Sequence, residues 1–546
     1  MIKEVSYFVR NDCNQNQYQN LSNECTYQST PPPPPPTTIT STTKSRIIIN
    51  LIVFSIISTF LFLFPFWNFL HYDGENISVF SFNTDKTLFQ TSDRFLSLGL
   101  DTSLLRNMKE LPLMDERFIN LARHLKPAFV RVGGTSADCL FFNKTLTTSA
   151  QIISPIDGQD ISNFTITDKD FQSLYKFTIE SELKMLFDLN VLIRYPNGSW
   201  DDTNAQDIIS FAKLSNMDLD WQLGNEPNSF HHVFNRTITA EQLAKDYIQL
   251  RNLLNRMGYQ KSLLVGPEVN HIDLSNKGQS YAEIFMKNDK DSINYVTWHQ
   301  YYLNGREAEV KDFINPLTFF YLPVQIESML NTIKQLRKSI SMWLSETSTA
   351  FGGGAPGLSD RYVAGFLWLD KLGYSAKTGV NVVIRQSLFG GNYAMIGPDL
   401  LPNPDWWISV IYKQFVSDKV LEVTSSTSFK YVRIYAHCTP EISLINRVTA
   451  ITIFGMNLNK SPSKIMIQGI FHKLNKNAKI FLYNITSDLL TSRNLFLNGE
   501  ILKLENDGKL PPFKPIILNP TQFITLSPFS IVFMVIHGID APACIS

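Results

Sequence analysis

The chain has 546 residues, 44% of them from the hydrophobic set, with 49 basic and 49 acidic side chains. That length can bury one large core or two moderate ones, and it excludes a miniature scaffold held by staples. A formal net charge of +0 excludes recognition of nucleic acid or anionic lipid by the whole molecule's field, so any polyanion must be met by a local cleft.

Residues 1–45 are polar and include the run Pro31 to Pro36, a composition that packs no core and predicts a disordered, Pro-rich cytosolic tail. Residues 46–70 follow as a single transmembrane helix. The apolar run Ile47 to Leu70, interrupted mainly by Asn50 and Pro65, rises about 36 Å, enough to span a bilayer. Lys44 and Arg46 precede it and Asp73 and Glu75 follow it, which predicts a type II signal anchor with the remaining chain outside the cytosol. Late cleavage would give a secreted form. Asn-x-Ser/Thr triplets begin at Asn76, Asn143, Asn163, Asn197, Asn235, Asn459 and Asn484, consistent with a glycosylated body on that side.

Residues 71–94 read as a linker with edge strands of a later sandwich. From 95 to 403 short β-branched runs alternate with amphipathic stretches, the pattern of a parallel sheet covered by helices. The strand candidates are Phe95 to Leu100, Ala128 to Val132, Lys184 to Leu192, Leu219 to Leu223, Ser262 to Gly266, Tyr295 to His299, Ser341 to Ser345 and Asn381 to Gln386. Eight such units predict an α/β fold, a (β/α)8 TIM barrel with its chemistry at the carboxyl ends of the strands. From 404 to 546 the helices give way to strands and turns, predicting a C-terminal β-sandwich domain. Cys139, Cys438 and Cys544 are the cysteines beyond the apolar run, so at most one disulfide forms among them. Cys438 with Cys544 is favoured, since both lie in the strand-rich region, and Cys139 is expected to be a buried free thiol.

Two strand ends carry lone carboxylates. In WQLGNEPNS, Trp221 to Ser229, an apolar strand ends in Asn225 and Glu226 before Pro227 turns the chain away. In WLSETSTAFGGGAP, Trp343 to Pro356, Glu346 precedes three glycines whose backbone can approach a sugar closely and present N–H groups to an anion. Placed on the fourth and seventh strands, the glutamates would face each other across the barrel mouth. A retaining glycosidase needs such a pair ~5 to 5.5 Å apart, one to attack carbon and one to donate and then remove a proton. Asn225 could bind the hydroxyl beside the reacting carbon. His231 and His232 are adjacent, without a partner at ligand spacing; no metal and no cofactor is expected.

The segments LGNEPNSF at Leu223 to Phe230, HQYYLNGR at His299 to Arg306, ETSTAFGGGAP at Glu346 to Pro356 and FLWLDKLG at Phe366 to Gly373 resemble the heparanase family. The similarity runs from about Phe89 to Ile545 and includes RVGGTSAD at Arg131 to Asp138 and FGGNY at Phe389 to Tyr393. The resemblance implies a retaining endo-β-glucuronidase acting on heparan sulfate or a related glycosaminoglycan. It implies Glu226 as acid/base, Glu346 as nucleophile, Asn225 beside the acid and Tyr301 supporting the nucleophile. It further implies that Asp101, Thr135, Arg306, Gly352, Gly353, Gln386 and Tyr393 line the saccharide cleft. An acidic optimum and an extracellular, endosomal or lysosomal setting are implied as well.

Two features depart from the family pattern. The connection between Phe142 and Asp168 is short, which predicts a single active chain without an excised segment. The stretches Thr167 to Lys176 and Asn270 to Lys277 lack dense Lys/Arg clusters, and Asp273 adds a negative charge, so hyaluronan or a low-sulfate glucuronide stands beside heparan sulfate as substrate. An exo-acting β-glucuronidase and a non-catalytic glycosaminoglycan-binding protein are the competing readings. The expected state is a monomer contacting the membrane through one helix, with no nucleic-acid partner.

Overall fold

Eight apolar runs form a parallel barrel with strands β1 (Leu96–Asp101), β2 (Phe129–Gly133), β3 (Lys184–Leu189), β4 (Asp220–Leu223), β5 (Val265–Val269), β6 (Tyr295–Gln300), β7 (Ser341–Thr347) and β8 (Val380–Arg385). The computed structural model describes residues 77–146, 155–156, 159–270, 272, 277–336, 338–426, 430–506 and 508–545. The expected tail (1–45), membrane helix (46–70), Asn76 and Asp273 lie outside the described residues. Among those described, no helix is long and apolar enough to cross a membrane.

Hydrogen bonding runs in sequence order from β1 to β4 and from β5 to β8, with β8 beside β1. The remaining seam, β4 to β5, is closed by a parallel bridge between Trp221 and Leu264. Phe129, Leu186, Val265, Trp343, Val382 and Ile384 form one buried cluster, all but Ile384 in the amino-terminal halves of their strands. This apolar plug fills the lower barrel and leaves the carboxyl ends free for polar groups. β5 lies further along the chain than Ser262 to Gly266, because Pro267 interrupts the ladder without ending the strand: pairing with β6 shifts after Gly266 and resumes at Val269 with Trp298.

Helices follow the strands and are started by their own sequence. Thr167 and Asp170 form a capping box for Asp168–Glu180, and Thr239 caps Ala240–Arg256 through the Gln242 N–H. The helix Ala364–Lys377 differs from an amphipathic barrel helix, since twelve of its 14 residues are buried. It lies between the barrel and a second sheet, and Gly373 is required there because a Cβ would stand 2.3 Å from the Tyr435 ring.

The second sheet has eleven strands, ten in one hydrogen-bonded order and Ile516–Leu518 branching off it as a further neighbour of Leu474–Thr486. Val432–Cys438, Ala450–Asn457 and Ser530–Ile539 form its antiparallel centre. These strands are buried on both faces. Ile434, Ile453 and Val532 face the sheet's own core, while Tyr435, Phe454 and Phe533 belong to the barrel's core. The strand Ile77–Gln90, expected at an edge, is interior: it pairs with Lys419–Ser425 and has Ser463–Gln468 on its other side. Alternate burial of Phe80, Phe82 and Thr84 identifies one apolar face, a pattern that does not fix how many neighbours a strand has. Cys438 and Cys544 are disulfide-bonded with Cα atoms 5.5 Å apart, and Cys139 is a buried free thiol.

Candidate active site

Parallel strands deliver their last residues to one rim, and charged or titratable groups from most of the barrel strands gather there. Glu346, the sixth residue of β7, is mostly buried, with 11% of its side chain exposed. Arg131 of β2 donates from Nη1 to its Oε2 at 2.7 Å, and the Tyr301 hydroxyl donates to its Oε1 at 2.8 Å. The two donors take different oxygens and so fix the orientation of the carboxylate.

Glu226 stands three residues beyond β4, in the left-handed region at φ 54°, ψ 52°, and 25% of its side chain is exposed. Its Oε1 faces His299 Nδ1 at 2.8 Å, and Asn270 Nδ2 donates to its Oε2 at 2.7 Å. A carboxylate oxygen of Glu226, one of Glu346 and a nitrogen of His299 all lie within 4.8 Å of one another. Two carboxylates at that spacing can serve opposite sides of one glycosidic bond.

The same three residues meet a metal site's proximity requirement. Burial disfavours charge on His299, yet Glu346, Glu226 and Glu268 outweigh it and push its pKa up to about 10. Its two nitrogens face Glu226 at 2.8 Å and Glu268 at 2.9 Å, so each ring nitrogen already has a carboxylate partner.

Arg131 is the hub of the site. Besides Glu346, it donates to Gln222 Oε1 at 2.8 Å, Asn225 Oδ1 at 2.9 Å and Glu268 Oε2 at 3.1 Å. Burial works against its charge, but the neighbouring carboxylates hold the guanidinium charged. Burial raises Asp188 well above the ordinary carboxylate range against the opposing pull of Arg131, whose Nη2 lies 3.7 Å from its Oδ2. Asp138 accepts the backbone N–H groups of Asn225 at 2.8 Å and Val191 at 3.0 Å, which fixes the segment leading to Glu226.

A cleft of about 500 Å³ opens over these groups. Of the residues expected to line it, Asp101, Thr135, Asn225, Tyr301, Arg306, Gly352, Gly353 and Tyr393 do so. Gln386 does not: it is buried behind Asp101 and donates to Asp101 Oδ2 at 2.8 Å. Burial raises the Asp101 carboxyl above its ordinary value against a hydrogen bond from Ser103. Gly352 and Gly353 have φ of 76° and 85° and open space where a Cβ would be, so backbone conformation rather than crowding demands glycine there. His231 and His232 are exposed, and His232 stands on the cleft wall.

Sequence reasoning missed Arg131, Glu268, His299 and Asn270 as site residues. Their signal was a charged or polar group inside or just beyond an otherwise apolar barrel strand, where it is costly unless paired.

The glycosyl hydrolase family 79 N-terminal domain matches residues 102–373. Heparanase from Bos taurus is 32% identical over 514 residues, covering 86% of this chain and 93% of its own length. The chain belongs to the heparanase family. This heparanase-family chain is a glycoside hydrolase, and it is also 31% identical to a hyaluronoglucuronidase from Hirudo nipponia over 83% of the chain and 96% of that relative. Among solved structures, a 4-O-alpha-L-rhamnosyl-beta-D-glucuronidase from Fusarium oxysporum superposes with a TM-score of 0.60 at 14% identity, covering 83% and 99% of the two chains. At that identity the likeness speaks to the barrel fold alone.

Proposed function

We propose that the chain is a retaining endo-β-glucuronidase that cleaves glucuronide linkages in heparan sulfate or a related glycosaminoglycan. The observation that carries the mechanism is the approach of the Glu226 and Glu346 carboxylates to within 4.8 Å. In the first half-reaction Glu346 attacks the anomeric carbon, the glycosidic C–O bond breaks, and Glu226 gives its proton to the leaving oxygen. In the second, Glu226 takes a proton from water as the water oxygen attacks the same carbon and releases Glu346. One negative charge thus alternates between the two glutamates, opposite the Arg131 guanidinium and beside the His299 ring. The amides of Gly352 and Gly353 and the exposed Arg306 supply donors for a uronate carboxylate.

Arg306 is the single Lys or Arg side chain lining the cleft among the described residues. The helix Asp168–Glu180 opens with Asp168, Lys169 and Asp170, so acidic residues outnumber basic ones in its first turn. These features keep hyaluronan or a low-sulfate glucuronide beside heparan sulfate as the substrate to be tested. Parallel digests of heparan sulfate and hyaluronan by wild type and Glu346→Gln test the reading, with chain-length analysis of the products. Internal cleavage lost in the variant is expected; equal turnover by the two proteins, or release of terminal sugars alone, refutes it.

We also infer a type II membrane anchor from residues 47–70, with the barrel outside the cytosol. Asn143, Asn163, Asn197 and Asn235 are exposed and suit glycan attachment. Asn459 and Asn484 are half-buried and donate their amide nitrogens to Ser463 and Ser527, so they are left out. Release of the full chain from membranes by alkaline carbonate would refute the anchor, and an unchanged mobility after glycan removal would refute the glycans.

A further inference from the structure

One buried carboxylate stands behind both glutamates without reaching the cleft. Glu268, on β5, is fully buried and is not among the cleft-lining residues. Its Oε2 accepts from Arg131 Nη2 at 3.1 Å and from His299 Nε2 at 2.9 Å. Those two side chains in turn hold Glu346 and Glu226, at 2.7 and 2.8 Å. The backbone repeats the link, since the Glu226 N–H donates to the Glu268 carbonyl at 3.0 Å. Glu268 itself has φ of 59°, a strained conformation for a non-glycine residue that persists where surrounding structure enforces it.

We propose that Glu268 is a positioning residue whose single oxygen orients Arg131 toward Glu346 and His299 toward Glu226, setting both glutamates from a common point. The proposal rests on the two-glutamate mechanism and adds a residue that never touches substrate. The charged or titratable groups around His299 are Glu226 beyond β4, Glu268 on β5, Glu346 on β7, Arg131 on β2 and Asp188 on β3. Glu268 is therefore one of three carboxylates that hold the ring charged.

Glu268→Gln separates charge from shape. The glutamine carbonyl can occupy the Oε2 position and keep both hydrogen bonds, while its amide nitrogen takes the place of Oε1. Loss of the negative charge then lowers the pH at which His299 gives up its second proton. The experiment is a pH titration of the full chain with ring-labelled histidine, followed by magnetic resonance, beside pH profiles of kcat/KM for wild type and Glu268→Gln. The expected result is a His299 transition at least one pH unit lower in the variant. The alkaline limb should move down with it, with kcat reduced and KM changed less than twofold. A His299 transition and an alkaline limb both at wild-type pH, or a change confined to KM, overturns the proposal. The histidine titration needs no substrate, so an inactive wild-type chain would sink the two-glutamate reading while leaving the hold of Glu268 on His299 measurable.

Discussion

The barrel mouth and the interface between barrel and second sheet both bury charged side chains, but they satisfy them differently. At the mouth, Arg131 is shared among Glu346, Gln222, Asn225 and Glu268, and the network ends in two carboxylates that face the cleft. At the interface, Asp370 takes the Arg433 guanidinium and the Tyr435 hydroxyl into a closed group with almost no exposure on either side. Asp370 and Lys371 are neighbours on one helix, yet Asp370 faces the sheet while Lys371 donates to the Ser348 carbonyl at 2.9 Å, just beyond the nucleophile. A closed ion group fixes two elements relative to each other, whereas an open one leaves charge available to a reacting molecule.

That contrast can be broken first at its hub. Arg131→Met leaves Glu346 and Glu268 buried without their cation, which is expected to cost about 3–5 kcal/mol of stability and to abolish turnover, read by denaturant unfolding and product release. A variant that keeps wild-type stability and activity would show that the mouth does not depend on this charge. Asp370→Asn, by contrast, strands Arg433 at the interface. We expect a stability loss of about 1–3 kcal/mol with kcat of the folded protein within twofold of wild type. A large fall in kcat at unchanged stability would mean that the interface takes part in the chemistry.

The smallest effect sharpens the comparison through pH. In the sheet, burial pushes His437 down to about 4, so its contribution to stability is present above the unfolded value near 6.5 and is lost as pH falls toward 4. At the mouth, burial raises Asp138, so its contribution is full below the unfolded carboxylate value and is lost as pH rises. His437→Gln should therefore lessen the drop in Tm between pH 7 and pH 5 by about 1–3 °C. An unchanged drop would place the acid sensitivity elsewhere.

Much of the barrel was legible because each strand is buried on both faces and reads as a short apolar run. Glu226 and Glu346 were legible because each ends such a run with a lone carboxylate. Arg131, Glu268 and His299 were harder to read, since their partners lie on other strands and no local spacing brings them together. Gln386 was assigned to the cleft by resemblance, while packing puts it one layer behind, on Asp101. The interior place of Ile77–Gln90 was illegible for a similar reason: its two neighbours come from residues 419–425 and 463–468.

That strand also sets a timetable for synthesis. Phe80 pairs with Ser425, so the earliest described strand leaves the ribosome hundreds of residues before the segment that completes it. At ~5–20 residues per second the wait is roughly 20 to 70 s. Throughout it Phe80 and Phe82 have nothing to pack against, and the nascent chain presents a sticky, half-made edge that a chaperone would have to shield.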